Sequence, residues 1–239
     1  MAPVKEQHIS SAYDRDLDAI RTLILKMGGL VEDAILQAAE SLATRDVELA
    51  DKVRKADKII DALELEISEA AARTIALRAP VSKDLRSVLT VLRLAAALER
   101  IGDYAKNMAK RTSVLVDMTP IAGAEASLRR MAREVQGMLK DTLDAYIKGD
   151  AQLAEDVRQH DQDVDQMYNA LFREFLTFMM EDPRNITACM HLHFMAKNIE
   201  RMGDLTTNMA EQVIYLITGE MPEEARPKSD STSYMKHPE

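Results

Sequence analysis

Residues 99–109 read ERIGDYAKNMA and residues 200–210 read ERMGDLTTNMA, so one eleven-residue phrase occurs twice in the chain. In each copy a Glu is followed four residues later by an Asp and after four more by an Asn, which places the three side chains on one face of a helix. Each copy also carries a mid-phrase glycine, Gly102 and Gly203, which costs about 1 kcal/mol relative to alanine inside a helix. We therefore expect another element to approach closely at both glycines.

The composition favours an all-α protein with a substantial core. The 239 residues are rich in Ala, Leu, Met, Glu, Lys and Arg, include no Trp, and are 46% hydrophobic. A net charge of −9 argues against nucleic acid and against direct binding to anionic lipid, since both rely on cationic side chains. Cys189 is the single cysteine, so no intrachain disulfide or cysteine-type zinc site is expected, which is compatible with a reducing compartment. No apolar run is long enough to span a membrane, and we expect a cytoplasmic, soluble protein.

Apolar residues recur at spacings of three and four along three segments in each half of the chain. In the first half this pattern predicts a helix capped by Ser10 or Ser11, a second capped by Asp46 and ended by Pro80, and a third that begins near Ser82. The second half repeats this order, and the pattern stops between the halves, around residues 117–124.

The two halves align beyond the repeated phrase, with offsets of 101 to 104 residues. The chain is therefore predicted to be an all-α fold of two tandem, pseudo-symmetric three-helix bundles from internal duplication. We place one bundle in residues 1–117, the second in residues 118–220 and a disordered tail in residues 221–239. The aligned pairs are Asp46 with Asp150, Asp57 with Asp161, Asp61 with Asp165, Pro80 with Pro183, and Glu99 with Glu200.

Acidic pairs on neighbouring helices define two candidate metal sites. In a hairpin about Pro80, Asp57 comes level with Asp103 and Asp61 with Glu99, and the second half repeats the arrangement. Such carboxylates repel unless cations neutralise them, and oxygen ligands suit hard ions such as iron, manganese, magnesium or calcium. An acidic i,i+4 pair is otherwise a solvated helix face, and its repetition favours the metal site. The candidate ligands are Asp57, Asp61, Glu99, Asp103, Asp161, Asp165, Glu200 and Asp204, with Asn107 and Asn208 as supporting candidates.

Other motifs are weaker. His160, next to Asp161, is a metal ligand, a packing residue or the histidine of a phosphotransfer domain, although the Lys-Gly that usually follows such a histidine is absent. We expect packing roles for His160, His191 and His193. No Glu-x-x-His pair, glycine-rich phosphate loop or G-x-S-x-G motif occurs, which argues against a di-iron oxidase, a nucleotide-dependent enzyme and a serine hydrolase. We expect no catalytic activity.

These residues resemble the PhoU family of phosphate-uptake regulators. The resemblance rests on both ERxGD phrases and on YDRDL at 13–17, MGGLV at 27–31 and LRAPV at 77–81, and it covers residues 10–219. It implies two similar three-helix bundles, often in a homodimer, with metal clusters held by the eight carboxylates named above. Lys110 stands where the family has an acid, as Glu211 does in the second half, so we expect weaker metal binding at the first site.

The resemblance also implies a function. PhoU-like proteins are negative regulators of phosphate uptake and of the phosphate-starvation response. They act as adaptors between the ATPase subunit of a phosphate ABC transporter and a phosphate-sensing histidine kinase, and they meet the membrane only through the transporter. The alternative is a bundle that binds or stores metal without a signalling role.

Overall fold

Six long helices make up the part of the chain that the structure describes. The computed structural model describes residues 4–222, with side chains from residue 12 onward. No strand occurs within these residues, so the all-α prediction is confirmed. The helices are α1 (Val4–Ala43), α2 (Val47–Arg78), α3 (Ser82–Leu115), α4 (Ala124–Lys148), α5 (Ala151–Glu181) and α6 (Ile186–Thr218), with a short 3-10 turn (Pro183–Asn185) before α6.

Local sequence sets the same helix ends in both halves. The Asp46 side chain accepts a hydrogen bond from the Leu49 amide at the start of α2, and Asp150 caps α5 in the same way. Pro80 and Pro183 follow the ends of α2 and α5, because proline cannot continue a helical hydrogen-bond ladder. The caps and breaks predicted at these positions are confirmed.

The first helix differs from the prediction. It begins at Val4 rather than at a cap on Ser10 or Ser11, because residues 4–9 contain no helix breaker and continue the following helix without a turn. At the other end of the fold, Gly219 adopts φ 89° after α6 and serves as its C-terminal cap, with its backbone N–H donating to the Tyr215 carbonyl oxygen. The tail predicted as disordered lies, from residue 223 onward, outside the described residues.

The helices pack as two three-helix bundles, α1 to α3 and α4 to α6, and in each bundle every helix contacts the other two. The bundles join where α1 packs on α4 and α3 packs on α6. One continuous apolar core includes Ile24 and Leu98 from the first bundle and Leu139 and Met195 from the second. The predicted pair of bundles is confirmed, whereas the domain limits at residues 117/118 and 220 stay predictions. None of the described helices combines the length and the apolarity needed to cross a membrane.

Arginine contacts fix the direction of α3 against α6. Near the end of α3, the Arg111 guanidinium lies 4.5 Å from the ring centroid of Phe194 and 3.2 Å from Nδ1 of His191. Near the start of α3, the Arg86 guanidinium lies 5.5 Å from the ring centroid of Tyr215, close to the end of α6. The two helices are therefore antiparallel, and the repeated phrases meet across them, with the Arg201 guanidinium 5.9 Å from the ring centroid of Tyr104.

Candidate functional site

The mid-phrase glycines admit the neighbouring helix of each bundle. A Cβ added to Gly102 would lie 3.2 Å from Ile60 Cδ1 and 3.8 Å from Asp57 Oδ1. A Cβ added to Gly203 would lie 3.4 Å from Asp161 Oδ1. Both positions are in ordinary helix, so neither glycine serves an unusual backbone angle. The close approach expected from the sequence is confirmed at Gly102, whereas a Cβ at Gly203 would make only ordinary van der Waals contact.

The first acidic cluster lies between α2 and α3. Asp57 on α2 is only 4% exposed, Asp61 on the same helix is exposed, and Glu99 and Asp103 on α3 are half-buried. Burial raises the pKa of Glu99, and the neighbouring charges of Asp103 and Asp61 raise it further. The four carboxylates therefore share one electrostatic environment, as the hairpin geometry predicts.

Lys106 neutralises part of this cluster. Its Nζ donates to Asp103 Oδ1 at 2.6 Å and also donates to Asp57 Oδ2. The other oxygen of Asp57, Oδ1, is buried and has no hydrogen-bond partner among the described residues. Burial raises the pKa of Asp57, and the hydrogen bond from Lys106 opposes that rise. This role of Lys106 was not predicted from the sequence, although its position three residues after Asp103 was a signal for an ion pair on one helix face.

The second acidic cluster, between α5 and α6, is more deeply buried. Asp161, Asp165 and Glu200 are 2%, 4% and 5% exposed, and Asp204 is half-buried. Lys197 Nζ lies 2.8 Å from Glu200 Oε1. Buried carboxylates of this kind require compensation by hydrogen bonds or positive charge.

The two clusters differ at the position of Lys106. In the second repeat this position is Thr207, whose hydroxyl donates to the carbonyl oxygen of Gly203 at 3.0 Å. The side chain of Thr207 is buried against its own helix and carries no charge. The second cluster therefore has no counterpart of the Lys106 ammonium group at this position.

The fit of a metal ion differs between the clusters. Among the described residues, no group of three or more His, Cys, Asp or Glu side chains is arranged closely enough to hold a metal ion. In the first cluster, the Lys106 ammonium group lies where a cation would contact Asp57 and Asp103. The second cluster offers oxygen ligands suited to a hard cation, which side-chain rotation would have to bring together. The supporting candidates Asn107 and Asn208 are exposed. The eight metal ligands stay a prediction.

The histidines divide between surface and interior. His160 is exposed and lines a cleft of about 120 Å³ together with Asp141 and Asp163, so the packing role expected for it is wrong. Its helical position lies at the edge of the bundle, where a long side chain reaches solvent. His193 is half-buried with its ring centroid 5.9 Å from that of Tyr168, and burial lowers its pKa. The packing role expected for His193 is confirmed.

Both repeats match a known domain family. The PhoU domain matches residues 24–112 and 128–213, which are the central parts of the two bundles. The chain is 44% identical over 227 residues to the phosphate-specific transport system accessory protein PhoU homolog of Caulobacter vibrioides, and the alignment covers 95% of this chain and 99% of that protein.

Solved structures show the same fold. The crystal structure of PhoU from Pseudomonas aeruginosa superposes with a TM-score of 0.83 at 37% identity and covers 87% of this chain and 100% of that one. The phosphate transport system regulatory protein PhoU from Streptococcus pneumoniae gives a TM-score of 0.82 at 29% identity and covers 89% of this chain and 100% of that one. With both repeats matched and close relatives aligned over nearly their whole length, the chain belongs to the PhoU family.

Proposed function

We propose that the protein is a cytoplasmic negative regulator of phosphate uptake and of the phosphate-starvation response. The observation that carries this proposal is the extent of the match, which includes both bundles and 99% of the length of an accessory protein of a phosphate-specific transport system. A protein with this role acts by binding other proteins. We therefore propose an adaptor without catalytic activity.

The proposed partners are the ATPase subunit of a phosphate ABC transporter and a phosphate-sensing histidine kinase. A continuous core across both bundles supports this role, because a rigid adaptor loses little conformational entropy on binding. The tips of the helical hairpins expose apolar side chains, with Leu77 67%, Val81 71% and Met180 77% exposed. Such side chains supply the nonpolar contacts that a protein partner buries. We also propose a homodimer, which would reach the membrane only through the transporter.

Hard metal ions have a structural role in this proposal. Asp161, Asp165, Glu200 and Asp204 would hold iron, manganese, magnesium or calcium between α5 and α6. The positive charge would offset the repulsion among these carboxylates and would fix the helical face offered to a partner. The first cluster would bind the same ions more weakly, because Lys106 already supplies positive charge to Asp57 and Asp103.

A reporter of phosphate-starvation genes tests the regulatory proposal. We expect deletion of the gene in its native host to leave the reporter active in phosphate-rich medium, and the full chain supplied on a plasmid to silence it again. A reporter that stays silent in the deletion strain would contradict the proposal. Co-purification with a tagged chain then tests the two proposed partners, with an L77E/V81E variant as the form expected to lose them and an I147E variant, altered at another exposed apolar residue, as its control.

The same strain distinguishes regulation from metal storage. A storage protein would carry many ions per chain, and its loss would leave phosphate control intact. The ion pairs of Lys106 argue against storage, since they occupy two of the four carboxylates of the first cluster with a side chain of the protein itself.

A further inference from the structure

A basic cleft lies between α2 and α3 on the surface of the first bundle. Its volume is about 450 Å³, within the range of pockets that bind small molecules. The cleft lies beside the first acidic cluster and shares Lys106 with it. One acidic side chain, Asp51, lines the cleft, against five cationic side chains. The cationic side chains are Arg54, Lys55, Lys58, Lys106 and Lys110.

Three of these cations have no ionic partner in the part of the chain that the structure describes. Arg54 pairs with Asp51 at 2.8 Å, and Lys106 pairs with acids of the neighbouring cluster. Across the described residues, Lys55, Lys58 and Lys110 form no ion pair. Like charges gathered in one cleft repel each other, and an anion bound among them would remove that repulsion. This excess of positive charge occurs in a chain whose net charge is −9.

The second bundle provides an internal comparison. Its arginine at the position of Arg54 is Arg158, which is held at 2.7 Å by Glu155 and at 3.4 Å by Glu211. The positive charge is therefore neutralised inside the protein. Because the two bundles share one helical arrangement, the basic cleft is a property of the side chains at the first bundle and not of the fold. The lysines align with neutral or acidic residues, Lys55 with Gln159, Lys58 with Gln162, Lys106 with Thr207, and Lys110 with Glu211.

We propose that this cleft binds a small phosphate-bearing anion, with Lys55, Lys58 and Lys110 as its principal contacts. Several ammonium groups, each with three N–H donors, suit the multiple oxygens and charges of a phosphate group. The exposed amide of Asn107 also lines the cleft and supplies a neutral donor. Inorganic phosphate and the phosphate chain of a nucleoside polyphosphate share this chemistry, and the size of the cleft accepts either. The site does not depend on the regulatory role proposed above.

Binding of two probes to the full-length chain tests the proposal. We would measure binding of inorganic phosphate and of ATP by isothermal titration calorimetry at physiological ionic strength. The K55Q/K58Q/K110E variant gives the first bundle the residues of the second, and we expect it to weaken binding by about tenfold or more. The control variant K26Q/K140Q/K148E makes the same change in net charge at exposed lysines outside the cleft, and we expect it to bind as the wild type does.

The outcomes separate the sources of the anion and the ways in which the proposal fails. Binding of both probes identifies the phosphate group as sufficient, whereas binding of ATP alone assigns the cleft to a nucleoside polyphosphate. If neither probe binds, the proposal is overturned, and an equal loss of binding in the cleft variant and the control variant would also overturn it. A polyglutamate peptide that binds where neither probe does would overturn it in favour of an acidic protein partner. Circular dichroism checks that each variant is folded.

Discussion

Lys106 Nζ lies 2.6 Å from Asp103 Oδ1 and also donates to Asp57, so a single ammonium group joins α2 to α3 at the first acidic cluster. Asp57 is almost fully buried, while the side chain of Lys106 is 36% exposed. The protein thus supplies from its own sequence the positive charge that the acidic spacing alone would assign to a metal. This relationship makes the two repeats chemically different although their backbones match.

We expect the K106M variant to be less stable than the wild type. Methionine keeps an apolar stem, but it leaves the buried Asp57 carboxylate without its positive partner, which costs about 1 to 2 kcal/mol at neutral pH for a pair that is partly exposed. Urea unfolding followed by circular dichroism measures the change. K52M, at an exposed lysine of the same helix pair, is the control. Equal stabilities of K106M and K52M would show that the ion pair contributes nothing.

The metal assignment predicts effects of different size in the two repeats. We expect E200A/D204A to remove bound metal, because these residues supply two of the four oxygen ligands of the second cluster. The matched variant E99A/D103A should change metal content less, since Lys106 already pairs with Asp57 and Asp103 in that cluster. Elemental analysis of the purified proteins, after dialysis with each candidate ion, gives the metal content. Unchanged metal in E200A/D204A would show that the ligand assignment is wrong.

Much of the fold follows from local sequence. The caps at Asp46 and Asp150 and the stops at Pro80 and Pro183 act within a few residues of their own positions. The sequence also predicted that Asp57 lies opposite Asp103, because counting residues on each side of Pro80 fixes the register of the two antiparallel helices that meet there. Such features need no knowledge of the rest of the chain.

Other features depend on contacts between helices that no local pattern encodes. Lys106 looks like an ordinary surface lysine until the α2–α3 register brings its ammonium group to Asp57. The basic cleft likewise combines Lys55 and Lys58 of one helix with Lys110 of another. His160 failed as a packing prediction because periodicity identifies the side of a helix that is buried but not how far from the core a given position lies.

The contribution of Glu99 to the free energy of unfolding should be less favourable at neutral pH than at acid pH. Burial and then the charges of Asp103 and Asp61 raise its pKa in the folded state, so the folded state binds a proton more tightly than the unfolded state does. The free energy of unfolding therefore falls as pH rises from the unfolded pKa, near about 4.3, through the raised folded pKa. E99Q should increase the melting temperature at pH 7 by about 1 to 3 °C.

The pH dependence distinguishes this effect from a change in packing. The gain in E99Q should vanish at about pH 4, where Glu99 is largely protonated in both states. Thermal unfolding at both pH values measures it, with E66Q, at an exposed glutamate of α2, as the control. A gain of the same size at acid and neutral pH would refute the electrostatic explanation.

The arginines of the two repeats should differ in their contribution to stability. Arg158 is 4% exposed and lies between Glu155 and Glu211, so R158M would leave acidic groups in a partly buried site without their partner and should cost about 2 to 4 kcal/mol. Among the described residues Arg54 pairs with Asp51 alone, on an exposed surface, and R54M should cost less than about 0.5 kcal/mol. Chemical denaturation of both variants measures the difference, and equal costs would contradict the role assigned to Arg158.

Two adjacent glycines of α1 offer a test of how the bundles join. A Cβ on Gly28 would clash with Leu143 Cδ1 of α4, whereas a Cβ on Gly29 would meet no atom of the described residues within 4 Å. Alanine is favoured over glycine by about 1 kcal/mol at an open helical position, so G29A should stabilise the protein by up to that amount. G28A gains the same helical preference but must displace a buried leucine from its packed position, which costs about 1 to 3 kcal/mol.

We therefore expect G28A to be less stable than G29A by at least about 1 kcal/mol in urea unfolding. The L143A background tests the cause, because removing the leucine side chain leaves room for the new methyl group. In that background G28A and G29A should stabilise the protein equally, and the double-mutant cycle should give a favourable coupling between the G28A substitution and loss of the Leu143 side chain. If G28A is as stable as G29A in the wild-type background, the inference that α1 packs tightly on α4 at Gly28 is wrong.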